Sequence, residues 1–137
     1  MALDIGNARI GVAVGNTTTA IAMPVKVLNA ADVINNARPW RMLLEDYEPE
    51  LLVSGCPKSM NGTQGKQAQA VRATAEKIAK TAGLELDFID ERLSSAQAKR
   101  ILREQGLSEK EMRGKVDMIA ASLFLQTWFD KNAPKEA

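Results

Sequence analysis

The chain contains no histidine, and that absence removes the usual general base, the Ser/His/Asp triad and the commonest ligand of soft metals together. Cysteine is nearly absent too: the single Cys56 can make no internal disulfide and supports no structural zinc site. No apolar run reaches the ~20 residues of a membrane span and no signal peptide is recognisable, so a cytoplasmic protein without a membrane partner is expected. Nor does one charge dominate. Eighteen basic against 17 acidic residues leave +1 at pH 7, so any surface for nucleic acid or anionic lipid must be local. Whatever chemistry the chain performs runs on carboxylates, lysines, arginines and hydroxyls.

What is present is one domain's worth of apolar sequence, 137 residues at 45% hydrophobic content, read as a single domain over 1–137 with a tail that frays after about residue 131. Met1 to Gly6 and Arg9 to Gly15 form a hairpin signal around Gly6-Asn7-Ala8. Ile21 to Leu28 is a third extended run, with Pro24 suiting an edge. From Asp32 to Tyr47, Val33, Ala37, Trp40, Leu43, Leu44 and Tyr47 recur at helical spacing, with Asp32 as N-cap and Pro39 as a kink or late start.

Leu51 to Pro57 reads as a buried fourth strand, Lys66 to Ala82 as a helix closed by Gly83, and Leu86 to Glu91 as a fifth strand reached by a right-handed crossover. Ser94/Gln97 and Ser108/Glu111 have capping-box spacing, the first opening a helix to about Glu104 that Gly106 ends. A last helix, Arg113 to Lys131, turns Val116, Ile119, Ala120, Leu123, Phe124, Thr127 and Trp128 inward. Three antiparallel strands followed by two parallel α/β units give an α/β fold: a mixed five-stranded sheet, order 3-2-1-4-5, with helices on both faces.

Asp4 then stands in the central strand, where an ionised carboxylate must be paired, metal-bound or protonated. Asp90-Glu91 ends a strand parallel to the first and emerges at the same sheet edge. Asp117, at ~100° per residue, lies between Ala120, Ala121, Phe124 and Trp128 on the inward half of its helix. Carboxylates that converge repel and resist ionising unless a cation neutralises them. Oxygen-only ligation selects Mg2+ or Mn2+, and two such ions would activate water and stabilise the leaving oxygen of a phosphodiester with no histidine base.

Four motifs in order carry a resemblance: Asp4-Ile5-Gly6 with Arg9-Ile10-Gly11-Val12-Ala13-Val14; Gly55-Cys56-Pro57 with Asn61-Gly62-Thr63-Gln64-Gly65; Asp90-Glu91-Arg92-Leu93-Ser94-Ser95; and Val116-Asp117-Met118-Ile119-Ala120-Ala121. Together they resemble the YqgF/RuvX family, described both as Holliday junction resolvases and as pre-16S rRNA processing nucleases, across nearly the whole chain. The resemblance implies an RNase H-like fold, a metal-dependent nuclease, and Asp4, Glu91 and Asp117 as its catalytic, metal-holding acids, with Asp90 the alternative to Glu91. Two positions depart from the family: Gly15-Asn16, where an acid is common, and Cys56, where leucine is common.

Other readings stand beside these. Asp4 alone would cap the Gly6 turn or pair with Arg9, and Asp117 alone would suit the start of a helix. Arg9 and Arg92 either contact scissile phosphates or neutralise the neighbouring acids. Lys58, Asn61, Gln64 and Lys66 surround a loop and helix start suited to phosphate, and Lys99, Arg100 and Arg103 form a basic run that would track a nucleic-acid backbone. Cys56 reads as a small buried apolar residue, and Trp40 and Trp128 as core or interface. The partner expected is nucleic acid, precursor rRNA or branched DNA, bound by a monomer or a homodimer. A catalytically silent RNase H-like scaffold for ribosome or transcription machinery is the competing class. Asp-x-Gly also resembles the phosphate turn of actin-like ATPases, which clamp nucleotide between two domains where this chain supplies one.

Overall fold

The computed structural model describes residues 1–56, 62–90 and 94–132, without the side chains of 62–64 and 94–96. Five strands, β1 (Ala2–Ile5), β2 (Arg9–Val14), β3 (Met23–Asn29), β4 (Leu51–Cys56) and β5 (Glu85–Asp90), form one sheet in the order β3-β2-β1-β4-β5. β1 pairs antiparallel with β2 and parallel with β4, which pairs parallel with β5. The order and directions are those the sequence predicts, with β1 central.

Period-two alternation sorts the strand residues onto two faces. Leu3, Ile10, Val12, Leu28 and Leu52 pack on one face with Val33, Trp40, Leu43, Ile78 and Ala79, from α1 (Ala30–Ile34), α2 (Arg38–Tyr47) and α3 (Gly62–Ala82). On the other face Ala2, Ala13, Val53 and Ile89 pack with Ala98 of α4 (Ser94–Glu104) and with Ala120, Ala121, Phe124, Leu125 and Phe129 of α6 (Val116–Asn132). A short α5 (Glu109–Arg113) joins these last two helices. Among the described residues no helix is long and apolar enough to cross a membrane.

The helix expected over 32–47 is two helices. α1 ends at Ile34, Asn36 adopts φ +54°, and α2 begins at Arg38, leaving Pro39 in a first turn where its missing N–H has no intrahelical partner to lose. Asp32 lies inside the first turn of α1, whose N-cap is Asn29, and Tyr47 is 45% exposed rather than core. α3 starts four residues earlier than its apolar face suggests and ends in a Schellman-type turn: Gly83 has φ +71° and Leu84 N–H donates to Ala79 C=O at 2.9 Å.

Ser108 and Glu111 do form a capping box, but it opens α5, not the last helix. α6 turns Ala120, Ala121, Phe124, Leu125 and Phe129 inward, a face rotated from the expected one, so that Thr127 is exposed and Trp128 half-buried. Small residues explain this rotation: α6 crosses the sheet where β1, β2 and β4 present Ala2, Ala13, Gly11 and Gly55, and a β-carbon on Gly55 would collide with the Phe124 ring.

Candidate active site

Asp4 lies opposite Gly11 in the β1–β2 ladder, two residues on from the Ala2–Ala13 pair, so alternation aims Asp4 at the face covered by α6. Gly11 is where α6 touches down. A β-carbon built there would overlap the backbone carbonyl of Asp117 and stand 2.5 Å from the Met118 nitrogen. The missing side chain thus lets the first turn of α6 rest on β2 directly beside Asp4, and Asp117 comes with it. Both carboxylates share one sheet face although 113 positions separate them in sequence.

Arg9, at the start of β2, places its Nε 3.3 Å from Asp117 Oδ2, the one ion pair among the described residues. The Asp117 side chain is 25% exposed and that of Arg9 53%, so the pair sits at a solvent-accessible rim where a ligand can reach it. Asp4 is half-buried and also takes part in an interaction within the protein.

Asp90 is brought elsewhere. It pairs with Cys56, on the face where Arg72 stacks 4.5 Å over Phe88 and reaches Cys56 Sγ at 4.0 Å, the face opposite Asp4. Cys56 is buried and Trp40 is core, as expected; Trp128 ties α6 to β5 through Nε1–H donating to Asp87 Oδ2 at 2.8 Å. Glu91, Arg92, Lys58 and Asn61 lie outside the described residues, as does the side chain of Gln64. Lys66 is exposed on α3, and Lys99, Arg100 and Arg103 are exposed on α4, turned away from its buried Ala98 and Leu102.

Two features escaped the sequence reading. Gly11, an isolated glycine in a run of apolar strand residues, is the signal of close backbone approach that the pattern contained. Lys110, Arg113 and Lys115 cluster just before Asp117, interleaved with the acids of α5, which hid them from a count of net charge.

The chain and its fold have counterparts in known proteins. A family model described as RuvX, Holliday junction resolvase, matches residues 1–131. A protein of Acaryochloris marina named "Putative pre-16S rRNA nuclease" is 39% identical over 96% of this chain and 91% of its own length. Proteins of the same name from Anaeromyxobacter sp. and Lactococcus lactis are 38% and 36% identical, covering 95% and 98% of this chain and 95% and 96% of their own lengths. Among solved structures, RuvC of T. thermophilus in complex with a Holliday junction substrate aligns over 94% of this chain and 92% of its own with TM-score 0.53 at 16% identity, a likeness of fold, RNase H-like. With its motifs in order on that fold, the chain belongs to the RuvX (YqgF) family of Holliday junction resolvases.

Proposed function

We propose that this chain is a divalent-metal-dependent nuclease in which Asp4, Asp117 and Glu91 hold Mg2+ or Mn2+, two ions in all, and that its substrate is the 5′ region of precursor 16S rRNA. The observation that carries the reading is the seating of α6 on Gly11, which sets Asp117 beside Asp4 at the middle of the sheet. The donor set fits a hard cation: carboxylate oxygens at a solvent-accessible rim, and no histidine or second cysteine in the chain. Asp90 faces the other side of the sheet, which favours its neighbour Glu91 as the third acid.

Each residue has a task. Asp4, fixed on the central strand, and Asp117, fixed by the packing of α6, define a rigid pair that needs little rearrangement to accept a cation. When bound, the ions lower the pKa of water and neutralise charge at the phosphodiester, which is why no histidine base is required. Arg9 balances Asp117 and, being half-exposed on the same rim, is placed to meet a substrate phosphate. Lys66, Lys99, Arg100 and Arg103, with Lys58, Asn61, Gln64 and Arg92, are assigned to the nucleic-acid backbone.

The rRNA substrate is favoured by the names of the relatives at 36–39% identity. The second reading, junction resolution by a homodimer cutting two strands symmetrically, is favoured by the description of the family model. The test compares cleavage of a precursor-16S fragment with that of a synthetic four-way junction, in Mn2+, by wild type and Asp4→Asn. The expected result is cleavage of the rRNA fragment, reduced about 100-fold or more in the variant. Full activity in Asp4→Asn would remove the assignment, and preference for the junction would favour the second substrate. A catalytically silent scaffold would cut neither and would show no metal-linked rise in melting temperature.

A further inference from the structure

The corner between α5 and α6 gathers three cations in the short stretch before Asp117. Lys115 caps α6, its carbonyl accepting the Ile119 N–H at 3.1 Å, so its ammonium sits at the positive end of the 17-residue helix. Arg113 and Lys110 are in the last turn of α5, immediately before it. All three are exposed, and among the described residues none has a carboxylate within 4.0 Å, since Arg9–Asp117 is the one ion pair there.

The corner is also rigid. Buried Met112 anchors α5, and the capping box closes its start with Ser108 Oγ accepting from Glu111 N–H at 3.2 Å and Glu111 Oε1 accepting from Ser108 N–H at 3.1 Å. The acids Glu109 and Glu111 thereby fall in the first turn of α5 with Lys110 between them, and Arg113 and Lys115 follow towards Asp117. Lys115, two residues from Asp117, cannot be more than about 7 Å from it along the chain.

We propose that Lys110, Arg113 and Lys115 form a clamp for nucleic-acid backbone phosphates that holds the strand against the Asp4–Asp117 face. The inference rests on the nuclease reading for its ligand, but it concerns binding and does not require cleavage. A phosphate run would bring negative charge to three exposed cations that, among the described residues, have no carboxylate within 4.0 Å. Lys110 and Arg113 suit the last turn of α5 and Lys115 draws on the Glu111 carboxylate, yet all three stay exposed and open to a further anion.

The experiment measures binding of a fluorescein-labelled RNA hairpin with a single-stranded 5′ tail by anisotropy, in EDTA, across a salt series. Lys110→Gln/Arg113→Gln/Lys115→Gln is expected to bind at least tenfold more weakly, with the salt slope reduced by about 2, because each phosphate contact contributes roughly 0.7–0.9 to it. The charge-matched control Lys77→Gln/Lys80→Gln/Lys131→Gln, which alters exposed cations on the last turns of α3 and α6, keeps the wild-type slope. Lys115→Gln alone is expected to lower the slope by about 0.7, an effect on salt dependence that a merely structural role would not give.

Equal slopes for wild type and the first triple variant overturn the clamp, as does an equal loss in both triples or an absence of hairpin binding by wild type. Failure of the nuclease reading shows separately, as an Asp4→Asn protein that cuts and responds to Mn2+ like wild type.

Discussion

Replacing Gly11 by alanine tests the contact on which the site depends. The new β-carbon would stand 2.5 Å from the Met118 nitrogen and overlap the Asp117 carbonyl, backbone atoms that cannot rotate away. Restoring the 3.4 Å of an ordinary contact to Met118 alone requires the start of α6 to retreat by about 0.9 Å, and clearing the closer Asp117 carbonyl requires more. Overpacking of this kind costs about 1–3 kcal/mol, which for a domain of this size lowers the melting temperature by roughly 3–12 °C. The retreat also carries Asp117 away from Asp4, and a displacement near 1 Å in a catalytic constellation costs on the order of 100-fold in rate. Thermal unfolding with and without Mn2+, followed by cleavage of a precursor-16S fragment, reads both effects. A Gly11→Ala protein that melts with wild type and keeps its metal response would refute the seating of α6 on β2, and the pairing of the two carboxylates with it.

Other expectations follow from other contacts. Asp117→Asn should lose the Mn2+-dependent rise in melting temperature, the sign of a stabilisation that in wild type reaches about 2.7 kcal/mol at a metal concentration 100-fold above Kd. Gly55→Ala should destabilise by pushing a β-carbon into the Phe124 ring, and adding Phe124→Leu should recover part of the loss, a coupling of about 0.5–3 kcal/mol in a double-mutant cycle. Trp128→Phe should cost about 0.5–1.5 kcal/mol by removing the indole bond to Asp87, measured by urea unfolding. The Glu111 carboxyl is held below the usual glutamate range by the backbone N–H of Ser108, then by its hydroxyl. The folded pKa being depressed, its contribution is present above the unfolded value and is lost as pH falls through the folded one. Ser108→Ala removes the hydroxyl but keeps the backbone N–H, so it should move the Glu111 titration, followed by carboxyl NMR, only part of the way back up towards the ordinary range and weaken that acid-side dependence.

Sheet order, strand directions and the helix on each face were legible because the strands are short apolar runs bounded by breakers and two of the longer helices, α3 and α4, stop at a glycine. Gly83 and Gly106 adopt the positive φ that their places after α3 and α4 call for. The split at 35–37 was not legible, because Val33, Ala37 and Trp40 keep a helical spacing through a break made by Asn36 at positive φ. The rotation of α6 was missed for a different reason: all its faces are apolar, so what fixes its orientation is the steric room above Gly11 and Gly55, which periodicity does not encode. Of the candidate site, Asp4 and Asp117 could be named from the sequence, but the glycine that brings them together acts by lacking a side chain.

The separation of these two acids along the chain sets an order in time. Asp4 belongs to β1 and emerges early in synthesis, whereas Asp117 arrives on α6, after every strand of the sheet. At about 5–20 residues per second the two are made roughly 6–20 s apart. A nascent chain therefore carries the first carboxylate without the second while it is still being translated. The docking of α6 acts as a maturation step, so Asp117 cannot join Asp4 until that helix has emerged from the ribosome.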